Sequence, residues 1–580
     1  MLGVKRKKKS SKKEKTDLTT DIKARLAKKR QAKEARQKLI GLITLSLFLA
    51  IMVSIPVGLA AGLKPGIAVA GIIPTFILSY HYPRKALWLF LIYMPFSGTV
   101  TYWIGGGNAL FQISKDAFYI PALLGLIQEC RRKRKPIFVV KELKYTLGLI
   151  LLFSLVVLVV VNGMNQFLPE CSSLSEYDKF LRDANGELIL NNGVVITRPC
   201  KNGMPFLQGL MGLKVLLGYV PLMFCAFYLI DDKQKLLALG RLLVVIAIIC
   251  CVLGLAQYWM LKTGRCQGTN HLSGEQLFKP RLDAKCLVGG SLLYSPSQGQ
   301  IRLPGTFVSP WHWSWFLVGN AAISFTTAFS DPSFFWRNCG LVSMGLVFMN
   351  AVICGQRLAF GAVPGIILIL MVLTGQIANL KRFIPVAAGL SVVLFVGFSF
   401  INPDFVQERI DSFVGRWNNA PPQAFIQEQI AFSAEQQRGF LGNGLGKATN
   451  SARIFGETSL VETYHPKLLF EIGYGGLICF MIFITHLTFL TFKAYRSLKD
   501  KVLSRFASGF WVFMLIIGYF PYWYPLDTDP VCVYYWLFAG IIFKSVEIDK
   551  TEQKKLQEEK AAEAANKKPL KTSRSSPSIA

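Results

Sequence analysis

Apolar stretches near or above the length needed to cross a bilayer recur along almost the whole of this chain, from Leu39 to Val546, and no feature constrains the fold more. About 18 apolar residues span the hydrocarbon as a helix, because a helix is the one open-ended structure that satisfies its own backbone in lipid. The stretches predict an all-α, polytopic transmembrane bundle of about fourteen spans. They fall at 39–63, 65–82, 86–104, 117–128, 146–164, 206–230, 237–261, 308–329, 338–355, 358–380, 383–401, 468–492, 502–522 and 531–546. The second, fourth and last are short enough to be tilted or re-entrant. Only 17% of the 580 residues are charged, against about a quarter in soluble proteins.

The formal charge of +31 points to orientation through where it falls. Much of it precedes the first span, in Lys5 to Lys9, Lys12, Lys13, Lys15 and the basic run 23–38. Lys and Arg also mark nearly every alternate short connection, at 83–85, 131–135, 231–235, 331–337, 381–382 and 493–501. That is the positive-inside pattern, and basic tails of this kind rest on anionic lipid rather than on nucleic acid. The predicted organisation is a basic cytoplasmic segment at 1–38, a membrane domain at 39–546 and a cytoplasmic tail at 547–580, a frayed helix followed by disorder. Both termini are expected in the cytoplasm. The long connections at 165–205, 262–307 and 402–467 then all face outside, and one miscounted span would reverse them.

The cysteines fit that orientation. Cys171 and Cys200 share one expected outer loop and Cys266 and Cys286 another, whereas most of the other eight lie in or beside spans. Paired cysteines in exported loops are candidate disulfides in an oxidising compartment, with unpaired thiols as the alternative. No cysteine or histidine spacing resembles a zinc site, and no metal or cofactor is expected.

Charges beside spans are costly and mark candidate chemistry. Arg302 stands in Arg302-Leu-Pro-Gly-Thr-Phe just before a span, and Arg357 in Cys354-Gly-Gln-Arg357 at an outward hairpin. Two guanidinium groups on one face can fork a pyrophosphate; singly, each could equally be an interfacial snorkelling residue. The third outer loop holds the glycine run of Gly442, Gly444 and Gly446, then Arg453, Glu457, Glu462 and His465. The run lacks the Lys-Ser/Thr ending of a phosphate loop. Glu462 and His465 are three apart, and either could act as general base toward a sugar hydroxyl. The plain alternative is a carboxylate at a helix start and a loop histidine.

Three ordered segments resemble the O-antigen ligase and O-antigen polymerase superfamily of bacterial envelope glycan assembly. They are Arg302-Leu-Pro-Gly-Thr-Phe, Cys354-Gly-Gln-Arg357, and Leu441-Gly-Asn-Gly-Leu-Gly446 with Glu471-Ile-Gly-Tyr-Gly-Gly-Leu; the likeness covers under half of the chain. The resemblance implies a GT-C-like, metal-independent membrane glycosyltransferase in a bacterial plasma membrane. It would use a polyprenyl-diphosphate-linked glycan donor and a glycan acceptor, with polysaccharide-assembly proteins as further partners and no nucleic acid. It also implies that Arg302 and Arg357, with Arg453, hold the diphosphate. Two departures stand out: Glu462 occupies the position where the ligases carry their histidine, with His465 three residues later, and Leu358 replaces a commoner glycine. The first tilts the reading from ligase toward polymerase.

Two other classes compete. A transporter of a small anion or of a lipid-linked glycan would need ionisable groups near the midplane, for which Lys214 and Arg241 are the nearest candidates. A non-catalytic scaffold would work through its basic tails.

Overall fold

The structure is a computed structural model that describes residues 4–174, 190–191, 194–195, 200–278, 281–295, 300–376 and 421–566, with single helical positions between 385 and 418. It is mostly helical. The first helix, α1 (Val4–Ala61), carries the basic segment and the first apolar stretch without interruption. Then follow α2 (Leu63–His81), α3 (Pro83–Ile104), α4 (Asp116–Arg132), α5 (Leu143–Gly163), α6 (Pro205–Leu217), α7 (Leu222–Leu229) and α8 (Lys233–Lys262). After the long connection that follows α8 come α9 (Pro310–Ser330), α10 (Phe334–Ile353), α11 (Arg357–Leu373) and α12 (Pro422–Gln436). The last three are α13 (Tyr464–Arg496), α14 (Lys501–Gly518) and α15 (Val531–Asn566). Among the described residues nine helices are long and apolar enough to cross a membrane, or ten if α6 and α7 are one span bent by 40°. The chain is thus a multi-pass helical membrane protein.

Several expected spans take a different form. The stretch expected at 206–230 breaks at 218–221, where Pro221 and its neighbours separate α6 from α7. The element expected at 117–128 is the 17-residue α4, and that at 358–380 stops at Leu373. Helix α9 is long enough but carries serine, threonine and asparagine among its apolar residues, and it is buried on nearly every side by protein. The span expected at 383–401 lies outside the described residues. The all-α expectation also missed three small antiparallel pairs in the long connections: β1 (Leu190–Asn191) with β2 (Val194–Val195), β3 (Lys285–Cys286) with β4 (Val288–Ser291), and β5 (Leu293–Ser295) with β6 (Gln300–Arg302). The expected tail begins as the continuation of α15 to Asn566, and 567–580 lie outside the described residues.

The chain divides into two compact units. The first comprises residues up to Phe90 and the segment Gly105–Gln128. Within it α1 lies along α2 at a glycine crossing, where a Cβ on Gly66 would come 2.9 Å from the Gly58 Cα; small residues let membrane helices approach this closely. The second unit comprises Leu91–Ile104 and everything from Glu129 onward. Its centre is α9, packed against α8, α10, α11 and α14. Aromatic side chains fill the layer between α14 and α15, with Phe510 and Phe538 stacked at 4.0 Å. Some polar side chains in this core are partnered: Asn350 donates to the Cys251 carbonyl at 3.1 Å, and the Ser324 and Ser343 hydroxyls lie 2.8 Å apart.

Candidate functional site

The site is assembled where the connection from α8 to α9 returns to the bundle. Cys266 is bonded to Cys286, their Cα atoms 5.7 Å apart, which ties the end of α8 to β3. Cys171 is likewise bonded to Cys200 in the connection from α5 to α6, Cα atoms 5.0 Å apart. From inside α8 the buried Gln257 reaches into the second loop: its amide donates to the Cys286 and Val288 carbonyls at 2.9 and 2.8 Å, and its carbonyl accepts from Gly305 N–H at 3.1 Å. Gly305, at φ +55°, has no room for a Cβ, because the Trp313 indole fills that place. These contacts fix the path of the chain from β6 into α9.

That path brings the two arginines together. Leu303 N–H, just after Arg302, donates to the Cys354 carbonyl at 3.1 Å. Gly355 takes φ +72° and lies so close to the Ile301 carbonyl that any side chain would collide with it. Arg302 at the end of β6 and Arg357 at the start of α11 therefore flank one short backbone junction, both half-buried. The Arg302 guanidinium lies 5.6 Å over the Trp311 ring.

The electrostatics of the junction are unbalanced. Burial holds the Arg302 guanidinium below its ordinary range, and the nearby Arg357 charge adds to that; Glu462 and Tyr522 oppose it. Glu462, which precedes α13, is half-buried, and burial pushes its carboxyl above the usual carboxylate range while Arg302 pulls it back down. Two like-charged guanidinium groups thus act on each other in a partly dry place, with the Glu462 carboxylate opposing their repulsion. Glu462 is held from behind by its own N–H, which donates to Gln429 Oε1 of α12 at 2.7 Å. His465, on the first turn of α13, is also half-buried; it is hydrogen-bonded to the Gly518 backbone, and its Nε2 has no partner among the described residues.

Three other groups named from the sequence lie as follows. Arg453 is exposed on a short turn at Asn450–Ile454 and is not among the charges that act on Arg302. The glycine run packs against the protein's own backbone. Gly442, Gly444 and Gly446 are buried, and the run plugs a break in α13 at Gly473, where φ is +64° and ψ −173°. Asn443 and Gly444 N–H donate to the Phe470 and Glu471 carbonyls, both at 2.9 Å, and Gly475 N–H donates to the Phe440 carbonyl at 3.3 Å. A break in a buried helix leaves such groups without their own partners, and the loop supplies them. Asn162 of α5 braces the same loop, accepting from Leu445 N–H and donating to its carbonyl, both at 2.9 Å. Of the transporter candidates, Arg241 forms two bonds to the buried Asp331, at 2.8 and 3.0 Å, and Lys214 lies 5.6 Å over the Tyr219 ring; Arg241 is thereby a tie between α8 and the end of α9.

Sequence reasoning passed over two features. Lys467 and Asp527 form a buried ion pair, and the charge of Glu471 acts on Lys467 from the same side. Glu471 Oε1 accepts from Ala448 N–H at 2.7 Å and from the Thr449 hydroxyl at 2.9 Å. The partners lie as much as 60 residues apart, with no motif to join them. The second is an aromatic wall beside Arg302, built from Trp311 and from Tyr522 and Trp523 in the connection between α14 and α15. Among the described residues no group of three His, Cys, Asp or Glu side chains could hold a metal ion. No protein-family model and no curated protein matches the chain.

Proposed function

We infer that this protein is a membrane glycosyltransferase of the GT-C kind that polymerises, or ligates, polyprenyl-diphosphate-linked oligosaccharides at the outer face of a bacterial plasma membrane. The convergence of Arg302, Arg357 and Glu462 at one half-buried junction carries this reading. A bidentate guanidinium matches a phosphate better than a point charge does, and a pair of them neutralises the diphosphate as it departs, when its charge grows. Glu462 is the favoured base. It lies within reach of the Arg302 charge, and its raised proton affinity suits it to accept a proton from a hydroxyl. The acceptor hydroxyl gives its proton to that carboxylate and attacks the anomeric carbon; the bond from that carbon to the diphosphate oxygen breaks, and the electron pair leaves with the diphosphate. The donor's own phosphate linkage stores the free energy, so ATP is not required. The basic connections support an orientation with both termini in the cytoplasm and the junction outside.

The test is to supply purified protein with lipid-linked oligosaccharide in detergent, without ATP or added metal, and follow product length. Longer glycans from the wild type, with extension lost by at least about 10²-fold in Arg302→Ala and Arg357→Ala, support the reading. Movement of the lipid across vesicles with no new glycosidic bond overturns it in favour of a transporter.

A further inference from the structure

The connection between α14 and α15 carries Tyr522, Trp523 and Tyr524, and Trp523 holds φ at +59°. A bulky aromatic in the left-handed region is a genuine outlier, and such strain gathers at functional sites, where the surroundings over-determine it. The surroundings here are specific. The Trp523 carbonyl accepts from Tyr464 N–H, at the start of α13, at 3.1 Å. The Trp523 ring lies against Trp311 with centroids 5.2 Å apart, and Trp311 faces the Arg302 guanidinium. The strained turn thus delivers a second indole to the arginine junction.

The polar edges of this wall are unsatisfied. The Nε1 of Trp311 and the Nε1 of Trp523 are both shut off from solvent, and neither has an acceptor among the described residues. The same holds for Nε2 of Gln356, whose side chain is only 6% exposed and which immediately precedes Arg357. A buried donor without an acceptor is costly, and native proteins carry few of them. Three such donors, on the first turn of α9, at the cap of α11 and in the connection between α14 and α15, describe an oxygen-rich ligand rather than a lipid tail.

We propose that Trp311 and Trp523 form a sugar-binding subsite beside the arginine pair, in which the pyranose ring next to the diphosphate rests on the indole surfaces and its oxygens accept from the two indole N–H groups and from Gln356. A pyranose ring is suited to this, because its C–H faces meet the negative faces of aromatic rings while its hydroxyls point outward to donors. The subsite rests on the reading that a lipid-linked glycan binds at Arg302 and Arg357, and it adds the group that tells a glycosylated lipid from a bare one.

The experiment measures binding of two probes, undecaprenyl diphosphate and undecaprenyl-diphosphate-N-acetylglucosamine, to the full chain in nanodiscs. The expected wild-type result is tighter binding of the glycosylated lipid. Trp311→Phe and Trp523→Phe keep an aromatic ring and remove the N–H; each should cut that preference by about three- to tenfold, the worth of a hydrogen bond, and leave bare-lipid affinity unchanged. Arg302→Ala should weaken both probes together. Should Trp523→Phe fail to fold at its strained position, Trp311→Phe carries the test alone. Phe variants that keep the wild-type preference, or that weaken both probes equally, overturn the subsite, as does a wild type with no preference between the probes. A wild type that binds neither probe overturns the arginine reading and the subsite with it.

Discussion

Two clusters of charge lie within ten residues of each other along the start of α13, and they are built on opposite principles. Around Lys467, the acid and base are matched: Asp527 pairs with the ammonium, Glu471 lies close by, and the Glu471 carboxylate is further held by Ala448 N–H and the Thr449 hydroxyl. All three side chains are buried or nearly so. Around Arg302, two guanidinium groups lie near the Glu462 carboxylate, each is half-buried, and the neighbouring Trp311, Trp523 and Gln356 nitrogens have no acceptor among the described residues. The first cluster matches its charges within itself and holds the connection of α14 to α15 against α13. The second is ringed by donors that meet no acceptor among the described residues. The state of the neighbouring donors, rather than charge content, separates a structural ion cluster from a candidate binding site.

The sharpest way to break this comparison is Lys467→Met. Removing one partner from a buried pair leaves a bare carboxylate in the interior, at a cost of about 3–5 kcal/mol. Thermal unfolding in detergent should show a large loss of stability, partly recovered by adding Asp527→Leu, which removes the stranded charge. If Lys467→Met instead leaves melting unchanged and abolishes glycan extension, the two clusters have been assigned the wrong way round.

A smaller effect is expected at Glu462. Replacement by glutamine should lower the turnover rate by about 10²–10³-fold, the usual range for a general base, with the melting temperature close to wild type. The pH dependence adds a sign. A base works deprotonated, and burial raises the Glu462 carboxyl above its ordinary range, so wild-type activity should fall as pH drops through a value higher than that of a free carboxylate. Because Arg302 opposes the rise, any residual activity of Arg302→Ala should lose its acid limb at still higher pH. An acid limb unchanged in Glu462→Gln would move the base to His465.

Smaller again is the loss of the disulfide that fastens the loop behind Arg302. Cys266 and Cys286 close a loop of 20 residues, worth about 3 kcal/mol in the chain-entropy account. Cys266→Ser with Cys286→Ser should lower the melting temperature and loosen lipid binding modestly, because Gln257 still holds the loop through its own hydrogen bonds.

The parts legible in the sequence were those written as local pattern. Apolar length marked most of the helices, since the bilayer imposes it residue by residue. Cysteine pairs and the arginines beside spans were visible because each is unusual where it stands. What the pattern concealed was set by distant contacts. Helix α9 looks like any span, yet protein covers nearly all of it, so its serines and threonines are core residues. The glycine run looked like a flexible loop, but Gly442 permits close approach to the break at Gly473, about thirty residues on, while Gly444 and Gly446 pack against Asn162 and Gln208. Trp523 gave no signal at all, because its meaning lies in a backbone angle and in a neighbour more than two hundred residues earlier. Arg302 and Arg357 could be paired on paper only by their expected shared face and by family likeness; in the fold, one Leu303–Cys354 hydrogen bond and one glycine join them.

The proposal depends most directly on which side of the membrane the arginine junction faces. Arg302→Cys and Arg357→Cys, treated in intact cells with a membrane-impermeant thiol reagent, report that face. Labelling of both from outside, blocked by excess lipid-linked oligosaccharide, is the expected result. Labelling only after the cells are opened would put the junction in the cytosol and contradict the outer-face glycosyltransferase.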